Sequence, residues 1–399
     1  MYIVAKEPFP FGMAATNRII CYAKALFAEK MLCNVLICDS LNESYRQLGN
    51  IKMEGIYEGI SYRYLLSENN LLRFNSSNRL LKSIEYRLSS LLNSIQSICC
   101  LFRVLKKDDV VISYFNNNTL LLMLIVLLKI KGVIHVKELG EIPYYNLAFT
   151  SRIKRFFTLN IFFRYIDAFI VISRNLESVV NRYKCKKAKV LRIPILVDLD
   201  KYSFNHLKIN APQYILHSGT LTQEKDGIID LLHSFKRISD RLNGKIKLIV
   251  TGNLHSSHLK NEILNFVSQN NLSDNIIFTG MVDNDTLYKL QENAFMSILY
   301  KKDTFQNKYC FSTKLAEYLA SNIIVVSTNV GEASYYLENE VNSYIFNSPD
   351  ELVEIVVSCY NNPEKQALIL SNARELVAVE FDYKSNSRRL VNFISLLNE

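Results

Sequence analysis

Near the C-terminal end of the chain, the segment "FSTKLAEYLAS" (311–321) places a lysine and a glutamate three residues apart. At helical spacing, Lys314 and Glu317 lie on the same side of a helix, one turn apart. A lysine beside a helix N-terminus can hold a phosphate, and a carboxylate can accept hydrogen bonds from two neighbouring ribose hydroxyls. The same pair is also found as a solvated ion pair on ordinary surface helices. The spacing alone leaves both interpretations open.

The other residues of this segment predict how its helix lies. Ser312 or Thr313 can cap the N-terminus, because a hydroxyl at that position accepts from the first N–H groups of a helix. Leu315 and Leu319 share a face that should pack on a sheet. We expect Tyr318 to lie with the lysine and the glutamate, away from the core.

A second candidate is the loop "SGTLTQEKDG" (218–227), which follows an apolar run and precedes a helical pattern. Gly219 lets the backbone approach a ligand, Lys225 supplies a cation, and the following helix adds a partial positive charge at its N-terminus. These features are typical of a phosphate-binding loop, although they also occur in loops without function.

A third candidate is "VIHVKELGEIPYY" (133–145) in the N-terminal half, where a strand ends near two glutamates. Alternation along the strand puts His135 and Glu138 on different faces, so these two residues and Glu141 cannot all share one site. A lone histidine in a strand is typically a core residue, and we expect this of His135.

Ten short apolar runs alternate with helical patterns and must position these loops. They cover residues 34–39, 109–115, 132–139, 167–173, 189–194, 213–219, 245–252, 275–280, 295–300 and 323–328. Such alternation predicts parallel sheets covered by helices on both faces. We therefore predict an α/β protein with two Rossmann-like domains whose sheets face a central cleft, with ligands beyond the carboxyl ends of the strands.

The domain boundaries follow from the pattern between these runs. The segment 195–213 lacks periodicity and contains a proline, so it is the predicted linker. The predicted domains are residues 1–205 and 206–380, and a C-terminal helix (381–399) is expected to pack back towards the first domain. A chain of 399 residues with 49% hydrophobic residues is long enough and apolar enough for two cores.

Composition narrows the class of protein. The eight cysteines show no C-x-x-C pair, which predicts a reducing compartment and no metal site. The Asp-x-Asp pattern "DLD" (198–200), which can bind a metal at the end of a strand, lies in the predicted linker instead. No G-x-G-x-x-G follows any predicted strand, which disfavours a dinucleotide-dependent dehydrogenase. The charge at Lys6 argues against a signal peptide, and the longest apolar run (120–128) is too short to span a membrane. These features predict a cytoplasmic protein.

Charge is unevenly distributed along the chain. Residues 1–205 hold 29 Lys and Arg against 16 Asp and Glu, whereas residues 206–399 hold 18 against 22. The first half is therefore expected to meet an anionic partner. Basic and aromatic residues interleave in "SRIKRFFTLNIFFRYI" (151–166), which favours the anionic inner face of a membrane; a buried helix with solvated basic ends is the alternative. No nucleic-acid-binding motif is present.

Several segments, in order and spacing, resemble the retaining GT-B glycosyltransferases of the group 1 family, which includes capsule and lipopolysaccharide sugar transferases. In the C-terminal half these are "HSGTLTQEKDGIIDLLHSF", "KLIVTGN", "NIIFTGMVDNDTLYKL", "FSTKLAEYLASNIIVVSTNVGE" and "NSYIF". In the N-terminal half, "FPFGMAATNRIICYAKAL", "IDAFIVISRNLE" and "RIPILVD" are similar. The resemblance implies an N-terminal acceptor-binding domain and a C-terminal domain that binds a nucleotide sugar.

The resemblance also implies roles for individual residues. Glu317 would bind the donor ribose, Met281 and Val282 would lie along the base, and Gly12 would face the donor phosphates from the other domain. Backbone and side chains around the diphosphate would come from Gly219, Thr220, Lys225, Cys310, Phe311, Ser312, Thr313 and Lys314. The implied catalytic residues are Glu138 or Glu141 near the reacting hydroxyl, and Lys225 at the leaving diphosphate.

The function implied by the resemblance is transfer of a sugar from a UDP- or GDP-linked donor to a hydroxyl of a lipid-linked glycan, without a metal or other cofactor. Two departures from the family pattern, Tyr309 in place of a glutamate and Thr220 in place of an arginine, motivate a rival hypothesis. In that rival, the protein is a catalytically silent partner or scaffold in a polysaccharide assembly complex. A nucleotide-sugar epimerase of the same fold is a further alternative.

Overall fold

The computed structural model describes residues 1–67, 79–146, 148–202 and 213–399. The chain forms two compact units: the first contains residues 1–196 and 383–399, and the second contains residues 197–382. The predicted boundary between residues 205 and 206 and most of the predicted linker lie outside the described residues. Residues 197–202, at the start of that linker, belong to the second unit and include a 3-10 turn at Leu199–Lys201.

In the described part of the first unit, eight strands form one sheet in the order β3-β4-β2-β1-β5-β6-β7-β8. The strands are β1 (Tyr2–Ala5), β2 (Asn34–Ser40), β3 (Glu54–Tyr57), β4 (Ile60–Leu66), β5 (Val110–Tyr114), β6 (Ile134–Leu139), β7 (Ala168–Val171) and β8 (Lys189–Arg192). Neighbouring strands are parallel, except that β3 and β4 pair antiparallel. The carboxyl ends of β1, β5 and β6 therefore lie side by side.

Helices cover this sheet. They are α1 (Ala14–Ala28), α2 (Glu43–Gln47), α3 (Arg79–Val104), α4 (Asn118–Lys131), α5 (Phe149–Asn160) and α6 (Arg174–Tyr183), together with the last helix of the chain, α15 (Tyr383–Ser395). Helix α15 packs on α1, and both contribute to the apolar core under the sheet. Within the described residues, no helix is both long enough and apolar enough to cross a membrane.

In the described part of the second unit, six parallel strands form one sheet in the order β11-β10-β9-β12-β13-β14. The strands are β9 (Tyr214–Ser218), β10 (Lys247–Thr251), β11 (Ile276–Gly280), β12 (Met296–Leu299), β13 (Ile324–Thr328) and β14 (Tyr344–Phe346). Strands β9 and β12 are central and fully buried at their middle residues, which is why they read as continuous apolar runs.

In the described residues of the second unit, the α-helices are α7 to α14. Their bounds are α7 (Gln223–Asp226), α8 (Ile228–Arg241), α9 (Lys260–Gln269), α10 (Asn284–Glu292), α11 (Phe305–Tyr309), α12 (Thr313–Ala320), α13 (Pro349–Asn361) and α14 (Ala367–Leu376). A π-helical turn, Val377–Phe381, follows α14. Because the strands are parallel, the loops that lead into α7 and α12 lie at the same edge of the sheet.

The prediction of two α/β units with parallel sheets is confirmed, and a strand lies in each of the ten predicted runs. Sequence reasoning missed β1, β3, β4 and β14. Strand β14 contains only three residues, too few to show a pattern, and β1 is the four-residue segment Tyr2–Ala5 at the start of the sequence. In β4, alternate residues such as Arg63 face solvent, so this strand near the sheet edge lacks the continuous apolar run of a central strand.

Candidate nucleotide-sugar site

Two of the segments singled out from the sequence meet in the second unit. Gly219 follows β9 with a φ of +141°, and a Cβ atom at this residue would lie 1.8 Å from the Lys314 Nζ atom. Only glycine leaves room for the ammonium group there and adopts this backbone conformation without strain. The loop after β9 and the start of α12 thus form one structure, with the Lys314 ammonium lying against the backbone of Gly219.

A buried carboxylate connects the cations of this structure. Asp226, at the end of α7, is 1% exposed, and its Oδ1 atom lies 2.5 Å from Lys301 Nζ and 3.1 Å from Lys314 Nζ. Thr220 donates a hydrogen bond of 2.8 Å from its Oγ1 atom to the Asp226 Oδ2 atom. The two ammonium groups hold the pKa of Asp226 well below its usual range, against the opposing effect of burial. Asp226 is therefore ionised at neutral pH and fixes both lysines.

The cluster around Asp226 carries more positive than negative charge. Burial lowers the pKa of Lys314 to about 8, with Lys301 and Lys225 acting in the same direction and Asp226 opposing them. Lys314 therefore remains largely protonated at pH 7. The pKa of the buried His217 is lowered to about 4 by burial and by Lys314, so its ring is neutral. Lysines paired with one carboxylate leave a surplus of positive charge at the carboxyl end of β9, as a phosphate site requires.

Helix α12 begins beside this cluster. Ser312 occupies the N-cap position, but neither it nor Thr313 accepts a capping hydrogen bond from the helix through its side chain, so the predicted side-chain cap is wrong. The first turn is instead closed by a backbone bond from the Leu315 N–H to the Ser312 carbonyl oxygen. The hydroxyl of Ser312 is thus not used by the helix, and the positive end of α12 lies next to Lys314.

Glu317 lies one turn further along α12 and is half-buried. Burial raises the pKa of its carboxyl to about 7, while Lys314 and the neighbouring Gln291 lower it. Gln291 is fully buried on α10, and its side-chain amide lies beside the Glu317 carboxyl and interacts with it. A partly exposed carboxylate that is oriented by a buried amide can receive the two hydroxyls of a ribose.

Tyr318 corrects the predicted arrangement of this helix. Its side chain is fully buried, and the backbone N–H of Ser218 donates a hydrogen bond of 2.9 Å to the phenol oxygen. Tyr318 therefore packs on the sheet rather than sharing the exposed face of Lys314 and Glu317. The phenol connects α12 to the end of β9, which fixes the helix relative to the loop at Gly219.

The other residues predicted to bind the nucleotide-sugar donor differ in how exposed their side chains are. Met281 is exposed and Val282 half-buried, in the loop that follows β11. Cys310 is half-buried before α12, and Lys225 is half-buried on α7 near Lys314. The side chain of Phe311 is buried and stacks on Tyr336 at 5.4 Å, so it belongs to the core, and its backbone alone remains available for a ligand.

The first unit contains a separate cluster at the carboxyl ends of β1, β5 and β6. Glu138 lies at the end of β6 and is 3% exposed, with its Oε1 atom 2.8 Å from the Nε atom of Arg18 on α1. Tyr22 on the same helix accepts a hydrogen bond from the Arg18 guanidinium, and Tyr114 at the end of β5 lies close to the Glu138 carboxyl. Burial raises the pKa of Glu138, and Arg18 opposes this effect.

Glu141 lies just beyond this pair and is half-buried. The side-chain amide of Asn116 lies 3.5 Å from its Oε1 atom. Burial raises the pKa of Glu7, in the loop after β1, and the charge of Glu141 acts in the same direction, so these two carboxyls are neighbours. Of the two predicted catalytic glutamates, Glu141 is thus the more accessible, and Glu138 is held in a buried ion pair.

His135 lies in the core, as expected. It is 1% exposed, and its Nε2 atom lies 2.8 Å from the Ser113 hydroxyl on the neighbouring strand β5. Burial lowers the pKa of His135 to about 3, so the ring is neutral.

Gly12 lies in the loop between β1 and α1. A Cβ atom there would be 2.0 Å from the Thr16 Oγ1 atom, which donates a hydrogen bond to the Pro8 carbonyl oxygen. The close packing of this loop therefore requires a glycine at residue 12.

Comparisons with known proteins identify the architecture. Residues 198–376 match the family model for glycosyl transferases group 1. Anabaena HepE, solved in complex with UDP and glucose, superimposes with a TM-score of 0.73 at 15% identity over 99% of both chains. Sucrose-phosphate synthase from Thermosynechococcus elongatus gives a TM-score of 0.74 at 13% identity, over 99% of this chain and 98% of that one. The fold is GT-B.

Two further matches have either a lower sequence identity or a shorter matched length than these two structures. TarM from S. aureus has a TM-score of 0.73 at 12% identity, over 100% of this chain and 99% of that one, in a structure that contains UDP. An uncharacterized glycosyltransferase of Methanocaldococcus jannaschii is 25% identical over 187 residues. That match spans 46% of this chain and 45% of the relative, less than half of either protein.

Sequence reasoning missed four residues of these GT-B units: Asp226, Lys301, Arg18 and Tyr114. Asp226 follows Lys225 directly, and Lys301 follows β12 at the edge where ligands are expected, so both carried a positional signal. Arg18 lies within an apolar helical pattern, and a charge at such a position signals a buried partner. Nothing in the sequence shows which carboxylate that partner is.

Proposed function

We propose that this protein is a retaining glycosyltransferase that moves a sugar from a nucleotide diphosphate sugar to a hydroxyl of a lipid-linked glycan. The observation that carries this proposal is the position of Lys314 against Gly219, with Lys301 and Asp226 behind it and Glu317 one turn away. This arrangement offers a cation for a diphosphate and a carboxylate for a ribose. UDP in the HepE and TarM structures is consistent with a nucleotide donor.

In the proposed reaction, the bond between the anomeric carbon and the diphosphate oxygen breaks while the acceptor hydroxyl oxygen bonds to that carbon. The hydroxyl proton passes to the departing diphosphate on the same face of the sugar, so configuration is retained. Lys314, Lys225 and the N-terminus of α12 stabilise the charge that develops on the diphosphate. No residue of the second unit is required to accept the proton.

The surroundings of Thr220 support the hypothesis of an active enzyme over that of a catalytically silent scaffold. This residue replaces the arginine of the family pattern, but the Lys314 ammonium occupies the space beside Gly219, and Thr220 helps to fix Asp226. A cation is thus supplied from α12, in addition to Lys225 of the loop. Release of free nucleoside diphosphate only when an acceptor is present would distinguish a transferase from a scaffold and from an epimerase.

The phosphate role of Lys314 is tested with Lys314→Met. We expect UDP to bind about 10–100-fold more weakly, because one charge-assisted contact with the anion is lost, whereas binding of uridine stays unchanged. Lys236→Met, which removes a lysine of α8 paired with Asp240, is the control and should bind both ligands normally. An equal loss for UDP and uridine would contradict the phosphate role.

The ribose role of Glu317 is tested with two ligands, UDP and its 2′,3′-dideoxy analogue. The unmodified protein should bind the analogue about tenfold or more weakly, since hydrogen bonds to a charged carboxylate are lost. Glu317→Ala should bind both ligands equally weakly. If Glu317→Ala still discriminates between them, the ribose is held elsewhere.

The acceptor side of the proposal rests on the first unit, where α5 exposes a mixed basic and aromatic surface. Phe149, Phe156 and Phe157 are exposed beside Arg152 and Lys154, while Phe162 and Phe163, which follow α5, are buried. Such a surface suits the anionic inner face of a membrane, where a lipid-linked acceptor lies.

Co-sedimentation with vesicles tests this attachment. Binding should require anionic lipid, weaken at high salt and be lost in a Phe156→Ser, Phe157→Ser variant. Phe27→Ser, at an exposed phenylalanine of α1, is the control. Binding that is indifferent to salt and to lipid charge would refute the electrostatic attachment.

A further inference from the structure

Helix α3 presents most of its described large apolar side chains to solvent and turns small polar side chains towards the protein, although Leu101 is fully buried. Ser94 and Ser97 are buried, and the Cys100 thiol lies 3.5 Å from the Leu65 carbonyl oxygen of β4. On the opposite side, large apolar residues are 38–60% exposed. They are Leu81, Ile84, Leu88, Leu91, Ile95 and Phe102. A helix that packs only on its own domain buries its apolar face, so the orientation of α3 indicates a partner.

The spacing of these residues identifies the kind of partner. Successive members are separated by three and four residues in alternation from Leu81 to Ile95, and the half-buried Ile98 continues the alternation to Phe102. This is the a and d pattern of a left-handed coiled coil, maintained over three heptads. The partner surface is therefore expected to be another helix, whose side chains interlock with this stripe.

The absence of charge argues against a lipid surface. Residues 88–102 ("LSSLLNSIQSICCLF") contain no Lys, Arg, Asp or Glu, and the charges at the start of the stripe are of both signs: Lys82, Glu85 and Arg87. A helix that lies on an anionic membrane carries basic residues along its polar face, as α5 does, whereas the polar residues of this part of α3 are uncharged and the Lys131 Nζ atom of α4 lies 4.3 Å from the centre of the Phe102 ring. Helix α4, which packs beside α3, extends the apolar surface with the exposed residues Leu122, Val126 and Ile130.

We propose that two copies of this chain pair through α3, each stripe covering the other about a two-fold axis. A stripe from residue 81 to residue 102 is about 30 Å long and, with α4, offers roughly 600 Å² per copy, close to the ~800 Å² per partner of a standard interface. An antiparallel pair places Glu85 of one copy near Arg103 of the other, whereas a parallel pair would oppose like charges. The antiparallel arrangement is therefore the favoured one. This pairing does not depend on the proposed transferase activity.

Light scattering on the full chain during size-exclusion chromatography tests the pairing. We expect about twice the chain mass of 46.1 kDa, falling to the single-chain mass in Leu91→Glu. Leu264→Glu is the control, because Leu264 on α9 is 41% exposed and Leu91 is 38% exposed. Far-ultraviolet circular dichroism of Leu91→Glu should remain that of the unmodified protein.

A charge exchange tests the antiparallel arrangement without introducing a charge into the stripe. Glu85→Arg should weaken the dimer, and addition of Arg103→Glu should restore it. A chain that is monomeric at all concentrations, or a Leu91→Glu variant that stays as dimeric as the Leu264→Glu control, would overturn the pairing. A monomer that loses vesicle binding in Leu91→Glu would also overturn it, in favour of lipid.

Discussion

Replacing Asp226 by asparagine tests whether one buried carboxylate holds the cations of the second unit together. The amide keeps the shape of the side chain and can still accept from Thr220, but it leaves Lys301 and Lys314 without their anion. Both lysine side chains are largely buried, at 12% and 15% exposure, so water cannot replace the carboxylate. Breaking a buried ion pair by removing one partner costs about 3–5 kcal/mol.

This loss is measurable by thermal unfolding. The second unit contains residues 197–382, and for a domain of this size a loss of about 3–5 kcal/mol lowers Tm by on the order of 10 °C. The loss should be smaller at pH 9 than at pH 7. Burial lowers the pKa of Lys314, and without the carboxylate this pKa falls further below its value in the unfolded chain, so stability rises as the pH approaches that value.

The same variant gives a second readout that depends on the anion site. Asp226→Asn makes the cluster more positive, so pyrophosphate or UDP should raise its Tm by more than it raises that of the unmodified protein. Asp240→Asn is the matched control, because it breaks an exposed pair with Lys236 that should contribute less than about 1 kcal/mol. If Asp226→Asn unfolds at the same temperature as this control, or gains nothing from either anion, the assignment of Asp226 is refuted.

Three further predictions concern single residues. Gly219→Ala should weaken UDP binding tenfold or more, because the added methyl group displaces the Lys314 ammonium. Uridine binding, measured by calorimetry, should stay unchanged. An unaltered affinity for UDP would contradict the contact between Gly219 and Lys314. Binding of a nucleotide sugar should rise as Glu317 ionises near pH 7 and fall as Lys314 loses its proton near pH 8, and Glu317→Gln should abolish only the lower limb of the measured pH profile. Arg18→Met should lower the free energy of unfolding by about 3–5 kcal/mol. The loss should grow as the pH rises, because without Arg18 the protein folds only with Glu138 protonated. Denaturant unfolding at pH 5 and pH 8 measures this loss.

Much of the architecture could be predicted because central parallel strands are buried on both faces. Runs such as 295–300 and 323–328 are continuously apolar for this reason and correspond to β12 and β13. The short strands and the hairpin of β3 and β4 escaped prediction, since a strand with one solvated face has no such run. The helical spacing of Lys314 and Glu317 likewise identified a candidate site without coordinates.

The sequence by itself therefore determined ten of the described strands, the loops at which a ligand is expected and two residues of α12, Lys314 and Glu317, as candidates for contacting it. Only the tertiary structure decided how the charges pair. Asp226 is 75 residues from Lys301 and 88 residues from Lys314 along the chain, and Arg18 is 120 residues from Glu138. Local periodicity reflects contacts within one helix or strand. A buried ion pair instead depends on which segments the fold brings together. A charge loses its hydration when it is buried, so it must find its partner on another segment of the sheet.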